Sequence, residues 1–507
     1  MESLPIEGFW TKLMVATKSP NKIPSEYLKL AQNARIFDWW IWPRRWKISL
    51  TESTVWTFNK GAFMMQWLLY QITNSKIYLI DFTTWVQTEK ATLWYDAITD
   101  ILVYGDKAII VSDWEELEVF NGTWLEVTPT AVPTLNNWII EYTRWYSFLA
   151  SDNVLYISRP ITVANPEYAY DFTWTWSQNI TFDDKIVSLE GTMNWISVIT
   201  EKTVEYIWAS SLQNIAWAAA FISTPLWRTW EPVNNNVVVA SWDKVFYITK
   251  SLHLQTINYI AWTDSPSIWK LSARPIIWIK EFLKDIDPDQ PTAFWFYNKK
   301  DETIQFHLRR KNMPFNDVCL VYDMINDTYN IDTWKNYNYV VEDWEDYYGF
   351  SDINSNIYKD DIGFSDAWIP IRFLIRTQDM NQWTITEKQY WGFFTAWWIW
   401  FLTSLAYNVK VDKRSVFADT LSWNPSWITW LWEIWWSEIG GDSIWWAVEY
   451  TSELTPFEKM ADQWRIYRSW KRIQLEISSN SDIQDFIIDI LWIMANITGH
   501  LDINDKF

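Results

Sequence analysis

From about position 48 to 375 the chain alternates short apolar or in-and-out patterned runs with polar breaks. Lys76–Phe82, Lys107–Ser112, Leu117–Phe120, Val154–Ser158, Ile196–Thr200, Val237–Ala240 and Val245–Thr249 are dominated by Thr, Val, Ile and Tyr. These residues suit a pleated, half-buried surface, so each run predicts a strand. Several runs pair across short breaks as hairpins: Val237–Ile248, Ile109–Val119, Phe294–Leu308 and Cys319–Asn330. Strand pairs that repeat without intervening helices predict an all-β architecture, an irregular β-propeller or a stack of antiparallel sheets. No strict repeat of about 40 residues is present, so the pattern leaves the blade number open.

The flanks read differently. Residues 1–47 read as an extended N-terminal arm, with one short helix around Ser25–Asn33 that Ser25 caps and to which Leu28 and Leu30 give an apolar face. Residues 48–375 form the propeller-like body, and 376–507 a further antiparallel β region that closes it. Residues 376–400 read as the connection into that region. Lys471–Ser478 and Ile483–Ala495 read as one more hairpin around Ser479-Asn480-Ser481. Positions 420–447 are low in complexity and read as a flexible loop, with Gly440, Gly441 and Asp442 as its candidate residues.

Composition changes the reading of the turns. The chain of 507 residues holds 44 Trp but only 11 Gly, while Phe (26) and Tyr (25) are not inflated. A five-residue pattern recurs as Ile434-Trp435-Trp436, Ile439-Gly440-Gly441 and Ile444-Trp445-Trp446, so Trp and Gly exchange at its paired positions. Elsewhere Trp follows Asp, Asn or Ser between apolar runs, at Trp114, Trp138, Trp195, Trp242 and Trp344. Tight hairpins need φ > 0 there, which Gly reaches without a Cβ clash and a bulky aromatic does not. The expectation is that many of these positions are UGA codons that the source reads as Gly; the competing reading is a truly Trp-rich protein.

Charge narrows the function. The net charge of −20 argues against a phosphate-binding surface, which needs clustered Lys and Arg, and suits a wall past which DNA slides without sticking. One cysteine, Cys319, excludes an internal disulfide framework, and its apolar neighbours predict a buried thiol. The histidines His253, His307 and His500 lack ligand spacing, so neither a zinc site nor a Ser-His-Asp triad is supported. Asp352-Ile353-Asn354-Ser355-Asn356 opens like a calcium loop, but Ile357 stands where its glycine belongs and Gly363 where its glutamate belongs. A polar turn is the expected structure there and around Asp285–Pro291. No phosphate loop survives even with Gly in place of Trp. No catalytic, cofactor or metal residue is therefore named. The local basic group Arg35, Arg44, Arg45 and Lys47 reads either as a contact for an acidic neighbouring subunit or as a solvated loop. Arg309-Arg310-Lys311 reads as an exposed turn. No signal-peptide pattern and no membrane span are read.

With Gly restored, Asn33-Ala34-Arg35-Ile36-Phe37-Asp38 through Pro43-Arg44-Arg45 resembles the N-terminal segment of the tail tubular (nozzle) and packaged-DNA-stabilisation proteins of short-tailed phages. Val321-Tyr322-Asp323 before Thr333-Trp334, Tyr348-Gly349-Phe350, Ile357-Tyr358-Lys359-Asp360 and Phe364-Ser365-Asp366-Ala367-Trp368-Ile369-Pro370-Ile371 are similar to that family's middle region. Trp470-Lys471-Arg472-Ile473-Gln474-Leu475 is similar to its closing strand. The resemblance implies a structural virion protein, not an enzyme. It implies a β-propeller in a homo-oligomeric ring, usually a hexamer, joined to the portal, the adaptor and other tail proteins. Genome DNA would pass the lumen without sequence-specific binding. A protein of another class, a propeller that binds or cleaves host-surface glycans, is the alternative and would need the Trp residues as genuine exposed aromatics.

Overall fold

The computed structural model describes residues 2–5, 12–14, 27–37, 40–44, 47–51, 59–95, 97–113, 117–127, 138–143, 146–159, 161–172, 179–191, 195–208, 231–241, 244–251, 254–258, 273–276, 280–290, 292–324, 328–343, 346–360, 372–377, 388–402, 404–411, 414–422, 448–452, 473–479 and 484–497. It is an all-β chain of many small antiparallel sheets, with one short α-helix, Lys280–Leu283, among the described residues.

The runs read as strands form up-and-down antiparallel sheets in chain order. Sheet one holds Asn59–Met65, Leu68–Thr73, Lys76–Ile80 and Gln87–Thr92. Sheet two holds Ile98–Tyr104, Lys107–Ser112, Glu118–Phe120 and Leu125–Val127. Sheet three runs Ile139–Thr143, Tyr146–Ser151, Val154–Ile157, Asn179–Thr181, and sheet four runs Ile186–Gly191, Trp195–Thr200, Val204–Trp208. Sheet five runs Val238–Ser241, Lys244–Ile248, Leu254–Asn258, Ala273–Ile276, and sheet six Phe294–Asn298, Thr303–Leu308, Val318–Asp323, Thr328–Thr333. Sheet seven combines Tyr337–Asp343, Asp346–Ser351 and Ile357–Lys359 with an N-terminal strand, Ile48–Ser49. The expected hairpins are present in register, with Ile109 opposite Val119, Phe294 opposite His307, Val321 opposite Asn330 and Val239 opposite Phe246.

Side chains explain how the sheets stack. Along Lys107–Ser112, Ala108 and Ile110 pack with Phe63, Tyr70 and Ile72 of sheet one, while Ile109 and Val111 pack with Ile140 and Leu149 of sheet three. Leu149 and Phe148 divide in the same way, Phe148 facing Val198 of sheet four. Leu69 faces Val341 and Phe350 of sheet seven, and its neighbour Tyr70 faces sheet two. Successive residues thus point to opposite neighbours, and a second strand buried on both faces reads as a continuous apolar run. The outermost strand Gln87–Thr92 is largely exposed and carries Thr, Glu and Lys. The first strands of sheets one to seven lie against one another in series, and that of sheet seven lies against that of sheet one.

Two larger sheets take in the chain ends. Sheet six continues through Tyr27–Gln32, parallel to Thr328–Thr333, into Phe373–Thr377, Ile473–Ser479, Ser404–Val411 and Arg414–Ser422. The other joins Val448–Ser452, Lys388–Leu402, Gln484–Ile497, Trp40–Pro43 and Ala34–Phe37.

Three expectations change here. The segment expected as a helix at Ser25–Asn33 is a strand over Tyr27–Gln32, because its backbone pairs antiparallel with Phe373–Thr377, across a register shift between Leu28 and Leu30, and parallel with Thr328–Thr333. The expected connection over 376–400 contains the long strand Lys388–Leu402. The C-terminal strands exist, but Ile473–Ser479 and Gln484–Ile497 belong to different sheets instead of one hairpin. Glu476 shows one reason: it binds Arg376 on one neighbouring strand and Lys410 on the other. Of the expected loop 420–447, residues 420–422 end the strand Arg414–Ser422; Gly440, Gly441 and Asp442 lie outside the described residues.

Sheet seven has one tight internal fit. A Cβ at Gly349 would come 2.5 Å from Cζ of the buried Tyr337 ring. Close approach of an aromatic over the backbone is what glycine in a strand permits. Gly349→Ala is expected to lower stability by about 1–3 kcal/mol through forced displacement of that ring, read from the urea midpoint.

Candidate functional site

The N-terminal segment enters between sheets six and seven and brings three of the basic residues singled out above to one buried cluster. Asn33 starts it. At φ 53 its backbone is left-handed, which Asn tolerates better than most residues. This turn lets its amide donate to Ile331 O at 2.7 Å, and its carbonyl accept from Arg44 N at 2.9 Å. Its side chain donates to Thr333 Oγ1 at 3.0 Å and to Arg372 O at 2.8 Å, and accepts from Thr333 N at 2.9 Å.

Asp332 is the centre. Arg35 holds it with a two-pronged bond, Nη1 to Oδ1 at 2.9 Å and Nη2 to Oδ2 at 2.6 Å. Arg44 Nε lies 4.0 Å from the same carboxylate and donates to Asn33 Oδ1 at 3.1 Å, while its Nη2 donates to Thr333 O at 2.9 Å. Lys335 Nζ bridges Asp332 at 3.8 Å and Asp360 at 2.6 Å. Tyr337 donates its hydroxyl to Asp360 Oδ1 at 3.3 Å. Lys47 donates to Trp334 O and lies 4.4 Å from the Tyr358 ring centroid and 5.2 Å from that of Tyr337. Trp334 has φ 68, and this turn presents the successive carbonyls of Thr333 and Trp334 to Arg44 and Lys47. Arg44 is 1% exposed, Lys47 5%, and Asp332 and Lys335 0%.

Burial alone would raise the Asp332 carboxyl; Arg35, Lys335 and Arg44 overcome it and hold the group well below the usual carboxylate range. Burial also works against ionisation at Asp360, and Lys335, Arg44 and Lys47 again reverse the balance. The polar atoms of Arg35, Arg44 and Lys47 are thus engaged inside the chain. Arg45 lies outside the described residues.

His307 and Cys319 adjoin this cluster, with Nε2 and Sγ 3.8 Å apart and Nδ1 3.4 Å from Lys335 O. A Cys–His pair invites comparison with a nucleophile and its base. Burial, aided by Lys335, lowers His307 to about 3, and burial raises the Cys319 thiol. Both are neutral and enclosed, with the imidazole stacked on Phe294 at 4.5 Å between centroids. This geometry packs a core and does not generate a thiolate. His253 and His500 lie outside the described residues, and among those described no group of three or more His, Cys, Asp or Glu could hold a metal ion.

Around Asp352 the sequence forms the expected polar turn: Ser351 Oγ accepts from Ile353 N at 3.1 Å, and Asn354 Oδ1 from Asn356 N at 3.0 Å. The basic turn at 309–311 is tied down, Arg309 to Asp287 at 2.7 Å, Arg310 to Asp317 at 2.5 Å and Lys311 to Lys284 O at 2.6 Å. No helix among the described residues is long and apolar enough to cross a membrane.

Residues that the sequence did not single out complete the site. Asp332 lies at the end of an ordinary strand, Lys335 and Tyr337 follow it, and nothing local marks them as partners of positions 33–47. A second group, Asp100 and Glu141 on the first strands of sheets two and three, escaped notice among the 62 acidic residues.

No protein-family model matches the chain, and no curated protein does. Among solved structures, the chain is similar to the computationally designed Ika8 protein at TM-score 0.38 and 7% identity, over 62% of this chain and 99% of that one. It is also similar to BamB from Moraxella catarrhalis at TM-score 0.37 and 8% identity, over 71% of this chain and 97% of that one.

Asp332→Asn is expected to cost ~3–5 kcal/mol, because the buried cations lose their carboxylate. The sign with pH follows from the lowered ionisation of Asp332 and Asp360. Their contribution is full above the ordinary carboxylate range and is lost as pH falls below it. Asp332→Asn should flatten the acid limb of a urea-midpoint profile.

Proposed function

We propose that this chain is a β-propeller structural protein of a tailed-phage virion, assembled as a homo-oligomeric ring at the tail or head–tail junction through which DNA is retained and ejected. Support for the propeller comes from the serial contact of the first strands, the return of sheet seven to sheet one, and the strand Ile48–Ser49 that completes sheet seven from the N-terminal side.

One observation carries the family reading. Three of the stretches that resemble the phage proteins, two of them some three hundred residues from the first, meet in a single cluster. Asn33, Arg35 and Arg44 come from the first, Thr333 and Trp334 from the second, and Tyr358 and Asp360 from the third. Short motifs that resemble a family by chance have no reason to touch. The net charge of −20 agrees with a wall that DNA passes. Partners above and below would be the portal, the adaptor and other tail proteins, with Arg45 or the 420–447 loop as contact candidates.

The glycan-binding alternative has one observation in its favour: Trp67, Trp94 and Trp124 are 70%, 71% and 58% exposed. Backbone geometry weighs against it. Trp67, Trp85 and Trp334 have φ 65, 58 and 68, a region costly for a bulky side chain. Gln66 and Trp67 close a two-residue hairpin between Met65 and Leu68 with φ positive at both, the turn that favours glycine second. These three positions support the recoded-UGA reading. Trp138, in contrast, is 1% exposed in the core between sheets two and three and is a fitting place for an indole. Trp114, Trp242, Trp344, Trp435, Trp436, Trp445 and Trp446 lie outside the described residues.

Negative-stain microscopy of the purified protein should show rings with a central hole; dispersed monomers at micromolar concentration would contradict the reading. Peptide mapping of native material should find glycine at 67, 85 and 334, and Trp67→Gly in the recombinant chain should raise stability by about 1 kcal/mol. Indole at all three positions, with Trp67→Gly neutral or destabilising, would instead favour the glycan binder.

A further inference from the structure

The first strands of sheets one to seven follow one another in series and return to the start. Sheet two therefore has sheets one and three as neighbours, and sheet five has four and six. One contact crosses this order. Asn235, on the turn leading into sheet five, donates from Nδ2 to Asp100 Oδ2 of sheet two at 3.2 Å. Sheets three and four separate the two residues on one side, and sheets six, seven and one on the other. A direct bond between them runs across the middle of the series.

Both ends of this contact are anchored. Asp100 Oδ1 accepts from Ile101 N of its own strand at 2.9 Å, and Oδ2 also accepts from Ile140 N of sheet three at 3.1 Å. A carboxylate with three N–H donors is fixed in place by charge-assisted bonds, which are stronger than those between neutral groups. The Asn235 carbonyl accepts from Ser188 Oγ of sheet four at 3.2 Å. Its neighbour Asn234 donates to Gln290 O and Ala293 O, just ahead of the first strand of sheet six, both at 2.8 Å. The turn is thus tied to the sheets on either side of it before it reaches across. The other first strands also approach closely. A Cβ at Gly61 of sheet one would come 2.4 Å from Ile101 Cδ1 of sheet two, and Phe294 of sheet six stacks on Tyr339 of sheet seven with ring centroids 6.3 Å apart.

We propose that the Asp100–Asn235 contact is a strut that seals the axis of the propeller, so that nothing threads an individual chain and the passage for DNA lies wholly between copies of it. The seal rests on the propeller reading, and the place of the passage on the ring reading as well. Two side chains in hydrogen-bond contact leave no gap for a nucleic-acid strand. An open bore would keep these residues apart, each solvated on its own wall. With the axis sealed, each copy is a solid wedge and DNA meets only its outer surface.

The test is proximity across the axis in the full chain carrying Asp100→Cys and Asn235→Cys. The probe is dibromobimane, a small reagent that fluoresces when it bridges two thiols. Asp100 and Asn235 are partly exposed and open to the reagent, whereas the native Cys319 is buried. The folded double variant should become fluorescent while each single variant stays dark, with the bridge mapped to peptides that hold positions 100 and 235. It should still form rings with a central hole. A folded double variant as dark as the single variants overturns the strut, and so does a bore through each copy in images of the rings. Bridging in a protein that stays monomeric supports the seal and contradicts the ring reading alone. Should the cysteine pair not fold, an exchange of the two side chains decides. Asp100→Asn and Asn235→Asp should each raise the unfolding constant on the order of tenfold. Together they restore one donor and one acceptor and should recover most of that loss. Losses that add, up to a double variant that does not fold, overturn the strut.

Discussion

The buried ion cluster around Asp332 and Asp360 is the constraint on which the arrangement of the chain depends. Carboxylates and cations this deep are costly to desolvate, and the cost is offset only when every charge has a close partner in fixed geometry. The two-pronged Arg35 bond and the Lys335 bridge between the carboxylates supply that geometry. Because Arg35, Arg44 and Lys47 come from one end of the chain and their partners from positions 332–360, the cluster joins segments about as far apart as the propeller-like body is long. It stands beside the two-residue strand Ile48–Ser49, which with so few backbone bonds has little holding power of its own.

The rest of the body is held by repetition. Sheets one, two and three bury residues on both faces against their neighbours, so hydrophobic contact grows sheet by sheet there. Such packing is non-directional and tolerates irregular strand lengths, which agrees with the absence of a strict repeat. Direction comes from polar groups at a few points. The Asp332 cluster fixes how the N-terminal segment enters, Asp100 fixes how neighbouring first strands meet, and Glu476 joins three strands beyond the small sheets.

Much of the body was legible because strand and hairpin signals are local. The apolar runs in Lys107–Ser112 and Lys244–Ile248 need no knowledge of distant residues. Helix against strand at Tyr27–Gln32 was misread because a short apolar run fits both periods, and the parallel and antiparallel neighbours that decide it lie some three hundred residues on. The last two strands were found but assigned to each other, since turn chemistry cannot report that Lys388–Leu402 offers a longer partner. In the site, Arg35, Arg44 and Lys47 stood out as local charge and Asp360 within a resembling stretch, whereas Asp332 did not, because its meaning exists only in three dimensions. Trp67 was not legible, because it follows Gln instead of Asp, Asn or Ser, and Trp138 shows that a residue following Asn can enter a core.

Hydrogen exchange of the full chain tests the central claim most directly. If the Asp332 cluster locks the N-terminal segment into the sheets, the amides of Asn33 and Arg44 should exchange as slowly as those of Thr303–Leu308 in the wild type. In Asp332→Ala, peptides covering 27–50 and the Ile357–Lys359 strand should lose protection together, while sheets two and three keep theirs. Fast exchange of Asn33 and Arg44 in the wild type, or loss spread evenly over all sheets in the variant, would contradict the account.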